Sequence, residues 1–148
     1  MKGLRGPGNR KGFTLVELLV VVTIISILAG VVGFNSLRHL HKARQSKAKA
    51  QIASFKGALG GFYTDVGRYP TEQEGGLNAL VEKPLSEEAD GWDGPYMDKI
   101  PKGPWKGEYE YRLHDDGESF DIICLGKDRK EGGEGVNTDI TNHNLDEI

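Results

Sequence analysis

Two groups of residues in this chain of 148 have types and spacings that do chemistry. The first is Gly12-Phe13-Thr14-Leu15-Val16-Glu17, where one carboxylate stands near the start of an apolar run that ends at Phe34. A charge inside hydrocarbon is costly, and where it occurs it marks function. A plain membrane anchor has no use for Glu17, and a secretory signal peptide would discard it. A chain that leaves lipid and packs against copies of itself gives the carboxylate a partner. The second group lies between Leu125 and Asp139, where glycines alternate with oxygen-bearing side chains: Asp128, Glu131, Glu134, Asn137, Thr138 and Asp139. Such oxygens suit calcium, which takes roughly six to eight of them on a flexible frame. Arg129 and Lys130 break the EF-hand pattern. The Gly132-Gly133-Glu134-Gly135 stretch is a single copy and cannot stack as a calcium β-helix does. On composition alone the segment also reads as a solvated loop.

These groups need elements to hold them. Residues 1–12 form a leader with Lys2, Arg5, Arg10 and Lys11 and no acid, which places the N-terminus in the cytoplasm by the positive-inside rule. Residues 13–34, at ~1.5 Å per residue, make a helix about 33 Å long, enough for a hydrocarbon core of roughly 30 Å. A secretory signal has an apolar region of about 7–15 residues before a small-residue cleavage site. This run is longer, and Ala29-Gly30 matches such a site only weakly. Beyond it, Leu37, Leu40, Ala48, Ile52, Phe55, Leu59 and Phe62 recur at helical spacing, with Arg38, Lys42, Arg44, Lys47, Lys49 and Lys56 between them. One helix of about 50 residues is expected from Phe13 to near Val66, its second half being residues 35–67. Gly67 is the stop and Pro70 forbids continuation. Gly57, Gly60 and Gly61 either weaken the last turns, by about 1 kcal/mol each, or permit close packing.

Residues 68–148 make the head. Pro70, Pro84, Pro95, Pro101 and Pro104 punctuate a loop-rich first part, with a short helix expected over Leu77 to Lys83. Residues 108–113 alternate, residues 119–125 are rich in β-formers, and Asp115-Asp116-Gly117 between them signals a hairpin. A helix laid on a small antiparallel sheet is an α+β arrangement. There are no internal repeats.

Losing the four leader cations takes the formal net charge from −3 to −7, which argues against nucleic acid as a partner. Cys124 is the sole cysteine, so no intrachain disulfide forms, and Ile122-Ile123-Cys124-Leu125 reads as a buried strand. A head of about 80 residues has a thin core. If it is periplasmic, it needs a staple other than a disulfide. No Ser-His-Asp, metal-hydrolase or phosphate-loop pattern is present. His39, His41, His114 and His143 have no partner at ligand spacing and read as solvated surface. The chain is not expected to be an enzyme.

The Gly12-Phe13-Thr14-Leu15-Val16-Glu17 stretch resembles the class III signal of type IV pilins and type II secretion pseudopilins. The head narrows this. Arg68-Tyr69-Pro70-Thr71, Gly76-Leu77-Asn78-Ala79-Leu80, Trp92-Asp93-Gly94-Pro95-Tyr96, Pro104-Trp105, Leu125-Gly126-Lys127-Asp128, Gly132-Gly133-Glu134-Gly135 and Asp139-Ile140 stand in the order found in the type II secretion major pseudopilin family, general secretion pathway protein G. The resemblance covers nearly the whole chain. It departs at Phe34, where the family often has a proline, at Gly103, where an Asp is usual, and in a Tyr-Pro-Thr loop one residue longer.

The resemblance implies a pilin-like fold. A prepilin peptidase would cut between Gly12 and Phe13 and methylate Phe13. Glu17 would pair with the charged N-terminus of a neighbouring subunit. Structural calcium would sit in the C-terminal loop, on the Asp128 and Asp139 side chains and the Leu125 carbonyl, with Asn137 a less secure ligand. The chain would wait as a single-pass protein of the bacterial inner membrane, head in the periplasm. It would then polymerise with itself into a periplasmic pseudopilus that drives folded exoproteins through the outer-membrane secretin. Minor pseudopilins, an inner-membrane assembly platform and a secretion ATPase are the implied partners. A type IV pilin or minor pilin for adhesion or DNA uptake is the alternative. The absent C-terminal cysteine pair and the calcium-type loop count against it.

Overall fold

The structure, a computed structural model, describes residues 12–147, and the side chains of all of these except residues 31–37. The basic leader therefore lies outside the described residues, save for Gly12. The elements are a helix α1 (Leu15–Val66), strands β1 (Glu110–Leu113), β2 (Phe120–Cys124) and β3 (Ile140–Thr141), and short 3-10 helices in the connections. The chain divides into two compact units, Met1–His39 and Leu40–Ile148.

In the first unit α1 begins on a reciprocal cap. The Thr14 N–H and hydroxyl both donate to Glu17 Oε2, at 2.9 and 3.0 Å, and the Glu17 N–H donates to Thr14 Oγ at 3.2 Å. This is a capping box, which satisfies otherwise orphaned donors of the first turn. The helix then continues without a break through Phe34, so the departure from proline removes the one residue type that would have interrupted the ladder. From Phe13 to Leu28 its large apolar side chains are exposed, Phe13 by 87% and even Val20 by 48%. No helix among the described residues is long and apolar enough to cross a membrane. The expected span of residues 13–34 runs into residues 31–37, whose side chains lie outside the description.

In the second unit the helix is amphipathic. Ala48, Ile52, Phe55, Leu59 and Phe62 are all completely buried. They pack with Leu77, Leu80, Trp105, Tyr109, Ile122, Cys124 and Ile140. Covering an aliphatic or Phe side chain contributes about 1.5–3 kcal/mol, so this stripe is the main source of head stability. Phe55 meets Tyr109 edge to face at 5.0 Å between ring centroids, and Phe62 meets Tyr96 at 5.8 Å. Cys124 is a buried free thiol, as expected of a core residue, and burial pushes its pKa up to about 11.

The helix ends where the sequence puts its stop. Gly67 has φ 83° and its N–H returns to the Tyr63 carbonyl at 2.8 Å, a left-handed cap that glycine adopts at least cost. The packing role offered to three glycines holds for one. A Cβ on Gly61 would stand 3.0 Å from the Tyr96 ring, whereas Gly57 and Gly60 face open space. The short helix expected over residues 77–83 is a 3-10 turn at Gly76–Leu80. The hairpin forms in register Glu110 to Ile123 and Leu113 to Phe120. A third strand, unanticipated because it is only two residues long, pairs Cys124 with Ile140 and completes the order β1-β2-β3.

The turn after the helix is locked by Arg68 and Glu74. Two parallel hydrogen bonds of 2.7 and 2.6 Å join them, and Glu74 Oε2 also accepts the Thr71 N–H and hydroxyl. The Arg68 guanidinium holds the Glu74 carboxyl at about 2, against 4.5 for a free group. The folded chain thus binds this proton more weakly than the unfolded one. The stability it contributes is complete above about pH 5 and is lost as the pH falls toward about 2. The upper bound is about 3 kcal/mol. We expect Glu74→Gln to lower denaturant stability at neutral pH by about 2 kcal/mol and to flatten the acid limb of stability against pH. An acid limb identical to that of the parent would place the sensitivity in other carboxyls.

Candidate functional site

The two groups singled out by sequence fall in different units. At the N-terminus, Gly12 and Phe13 precede α1 and Glu17 occupies its first turn. Glu17 is the only charged residue between Gly12 and Phe34. Within the chain its partner is Thr14, a contact that the Thr-x-x-Glu spacing announces and that reading Glu17 for its charge alone overlooks. The box fixes the carboxylate at the exposed entrance of the helix, on the N–H of the peptide bond between Phe13 and Thr14.

The second group is built on the end of β2. Gly126 follows Leu125, and the strand's partner β3 begins just after Asp139, so the loop leaves and re-enters the sheet at neighbouring points. Asp139 closes it. Its Oδ1 accepts the Gly126 N–H at 2.9 Å and its Oδ2 the Gly132 N–H at 2.7 Å. Asn137 lies against the same glycine, since a Cβ on Gly126 would come within 2.1 Å of the Asn137 carbonyl oxygen. The Lys127 N–H reaches the Val136 carbonyl at 3.1 Å. The structure therefore brings Leu125-Gly126, Asn137 and Asp139 to one place. Asp128 is exposed and accepts the Lys130 N–H at 3.3 Å. Among the described residues no three His, Cys, Asp or Glu side chains gather as metal ligands. A cation here would be held by a few carboxylate oxygens supplemented by carbonyls. That donor set is chemically suited to calcium and unsuited to softer metals.

Sequence reasoning passed over one cluster. Asp121, at the centre of the sheet, meets His143 Nε2 at 2.6 Å and His114 Nε2 at 3.1 Å, one ring from each flank. Burial works to raise the Asp121 carboxyl, but the hydrogen bonds from His143 and His114 outweigh it and hold it below the usual range. The two histidines are far apart in sequence, at positions 114 and 143, so nothing local signals the cluster. Asn142 fixes it by accepting the Ile122 N–H at 2.8 Å and donating to the Phe120 carbonyl at 2.9 Å. This arrangement pins the C-terminal segment to the sheet.

With this geometry in hand, likeness to known proteins becomes informative. The family model "Type II secretion system (T2SS), protein G" matches residues 35–143, and the "Prokaryotic N-terminal methylation motif" matches residues 7–33. The type II secretion system core protein G of Vibrio cholerae serotype O1 is 40% identical over 149 aligned positions, covering 100% of this chain and 99% of that protein. The protein of the same name from Pseudomonas aeruginosa is 38% identical, covering 90% of this chain and 95% of its own length. The crystal structure of the major pseudopilin from the type 2 secretion system of enterohaemorrhagic Escherichia coli superposes with a TM-score of 0.53 at 29% identity, over 68% of this chain and 87% of that one. The long N-terminal helix, its packing on a three-stranded antiparallel sheet and these matches agree, and the chain belongs to the protein G family of the type II secretion system.

Proposed function

We propose that this chain is the major structural subunit of a type II secretion pseudopilus. The observation that carries the reading is the exposed apolar helix from Phe13 to Leu28 with Glu17 as its only charge. A patch of that extent marks a surface made to be covered. Lipid covers it first and neighbouring subunits afterwards. The family is a structural one and not a family of enzymes. The head carries the core and the sheet, and the helix end carries the assembly chemistry.

On this reading a prepilin peptidase cuts between Gly12 and Phe13 and methylates Phe13. The new N-terminal cation, on Phe13, then directly precedes Thr14 and stands four residues before Glu17. The capping box keeps the Glu17 carboxylate hydrogen-bonded while the subunit waits in the inner membrane with its head in the periplasm. In the filament, the N-terminus of an adjacent copy neutralises it. Minor pseudopilins, the assembly platform with its ATPase, and the secretin are the partners this reading requires, and folded exoproteins are the cargo.

Calcium belongs to the same proposal. Asp139, the Leu125 carbonyl, Asp128 and Asn137 would hold it, and it would supply a non-covalent staple to a head without a disulfide. Asp139 is already oriented by two backbone donors, and Asp128 adds a second carboxylate free of structural duty beyond one long hydrogen bond.

Intact-mass measurement of filament protein should show a chain beginning at Phe13 with one added methyl group. Glu17→Ala should leave membrane insertion intact, because the segment becomes more apolar, while filament yield falls at least tenfold, as loss of about 1.4 kcal/mol per contact would give. Wild-type filament yield from Glu17→Ala would remove the pairing role. For calcium, the full chain in detergent micelles should melt on the order of 10 °C higher with the ion at about 100 times its dissociation constant, where binding stabilises by roughly 2.7 kcal/mol. Asp128→Ala should remove that increment and leave the chelated midpoint nearly unchanged. Asp139→Ala should lower the chelated midpoint as well, because two N–H groups lose their acceptor. Identical melting in calcium and in chelator would end the metal assignment.

A further inference from the structure

The loop between β2 and β3 is tied to the head by cations that its glycine-rich composition conceals. Arg129 has φ 58°, a left-handed conformation that strains a residue with a Cβ. Its N–H closes a turn on the Gly126 carbonyl at 3.1 Å. From that position its Nη2 donates to the Trp105 carbonyl at 3.0 Å, reaching from the loop to a residue whose own side chain is buried in the core. On the other flank, Arg112 of β1 spans Glu110 and Glu131 through the same Nη2. An unfavourable backbone conformation persists only where surrounding contacts over-determine it. Here those contacts are the guanidinium bond and the turn that aims it.

We infer that Arg129, assisted by Arg112, is a positioning residue that holds the 125–139 loop closed on the head before any cation arrives. The two ties differ in weight. A hydrogen bond from a charged donor to a carbonyl of a buried residue is worth roughly a factor of ten or more. The Arg112 pairs are exposed and worth a factor of about two. The consequence is a loop whose oxygens are pre-arranged, so that calcium meets a partly ordered site and gains affinity from the ordering already done. That consequence rests on the calcium reading above. The brace itself does not.

The test is hydrogen exchange of the full chain in detergent micelles, read by mass spectrometry in chelator and in calcium chloride. In chelator, Arg129→Ala should speed exchange of peptides covering residues 125–139 about tenfold and leave peptides from residues 48–62 and β1 unchanged. Arg129→Lys carries the same left-handed backbone burden but keeps a cationic donor. It should recover at least half of the lost protection on a logarithmic scale. Arg112→Gln should give only about a twofold change. Parental exchange in Arg129→Ala, or faster exchange spread over the whole head, would overturn the brace, as would Arg129→Lys behaving like the alanine variant. Titration calorimetry with calcium chloride forms the second arm, in which Arg129→Ala should weaken binding by about the factor seen in exchange. Absence of binding heat in the parent counts against the calcium reading alone, since the chelator arm already decides the brace.

Discussion

The structure of the head depends on one apolar stripe. Ala48, Ile52, Phe55, Leu59 and Phe62 are wholly removed from solvent on the second half of α1. Short strands of two to five residues have little stability alone. The helix supplies the surface against which Ile122, Cys124 and Ile140 are buried, and β3, only two residues long, is held there by Ile140 and Asn142. Polar clamps finish what the stripe begins. Tyr109 donates to Gln51 at 2.7 Å, Tyr111 to the Pro70 carbonyl at 2.9 Å and Tyr96 to Asp65 at 2.7 Å. Tyr109 and Tyr96 thus tie their segments to the helix and Tyr111 ties β1 to the turn after the helix, each with its own hydroxyl paired.

The same helix carries an opposite design in its first half. There the large apolar side chains described, from Phe13 to Leu28, surround the axis and none of them is covered within the chain. A helix apolar on all sides belongs inside something larger. The division of labour follows from sequence: charges are absent from residues 18–34 and frequent after Arg38. Glu17 is the exception, and its capping box explains how a carboxylate is tolerated before a second copy is near.

Much of this was legible in the sequence. The helix end at Gly67, the hairpin turn at Asp115-Asp116-Gly117 and the core role of Cys124 follow from local rules, because each depends on a residue type with a strong backbone or burial preference. What escaped was non-local or too short. β3 has too few residues to show a period of two. His114, Asp121 and His143 meet only once the sheet is assembled. The Arg129 tie to Trp105 joins positions 24 residues apart, and a long flexible arginine leaves no periodic trace. Of the two readings left open for Gly57, Gly60 and Gly61, close packing applies to Gly61 alone, because glycine spacing does not say which of them another residue approaches. The oxygen-rich loop between Leu125 and Asp139 was legible in its composition. The closure by Asp139 and the ties from Arg129 and Arg112 were not, because they join positions distant in sequence.

The central claim is that residues 13–30 are built to be enclosed by other copies of this chain. A cryo-electron reconstruction of filaments formed by the processed protein tests it most directly. The account predicts a homopolymer in which Phe13 to Leu28 of every subunit are buried against neighbouring helices, with the Glu17 carboxylate within hydrogen-bond distance of an adjacent N-terminus. A filament held together by head-to-head contacts, with that segment left in solvent or detergent, would contradict it.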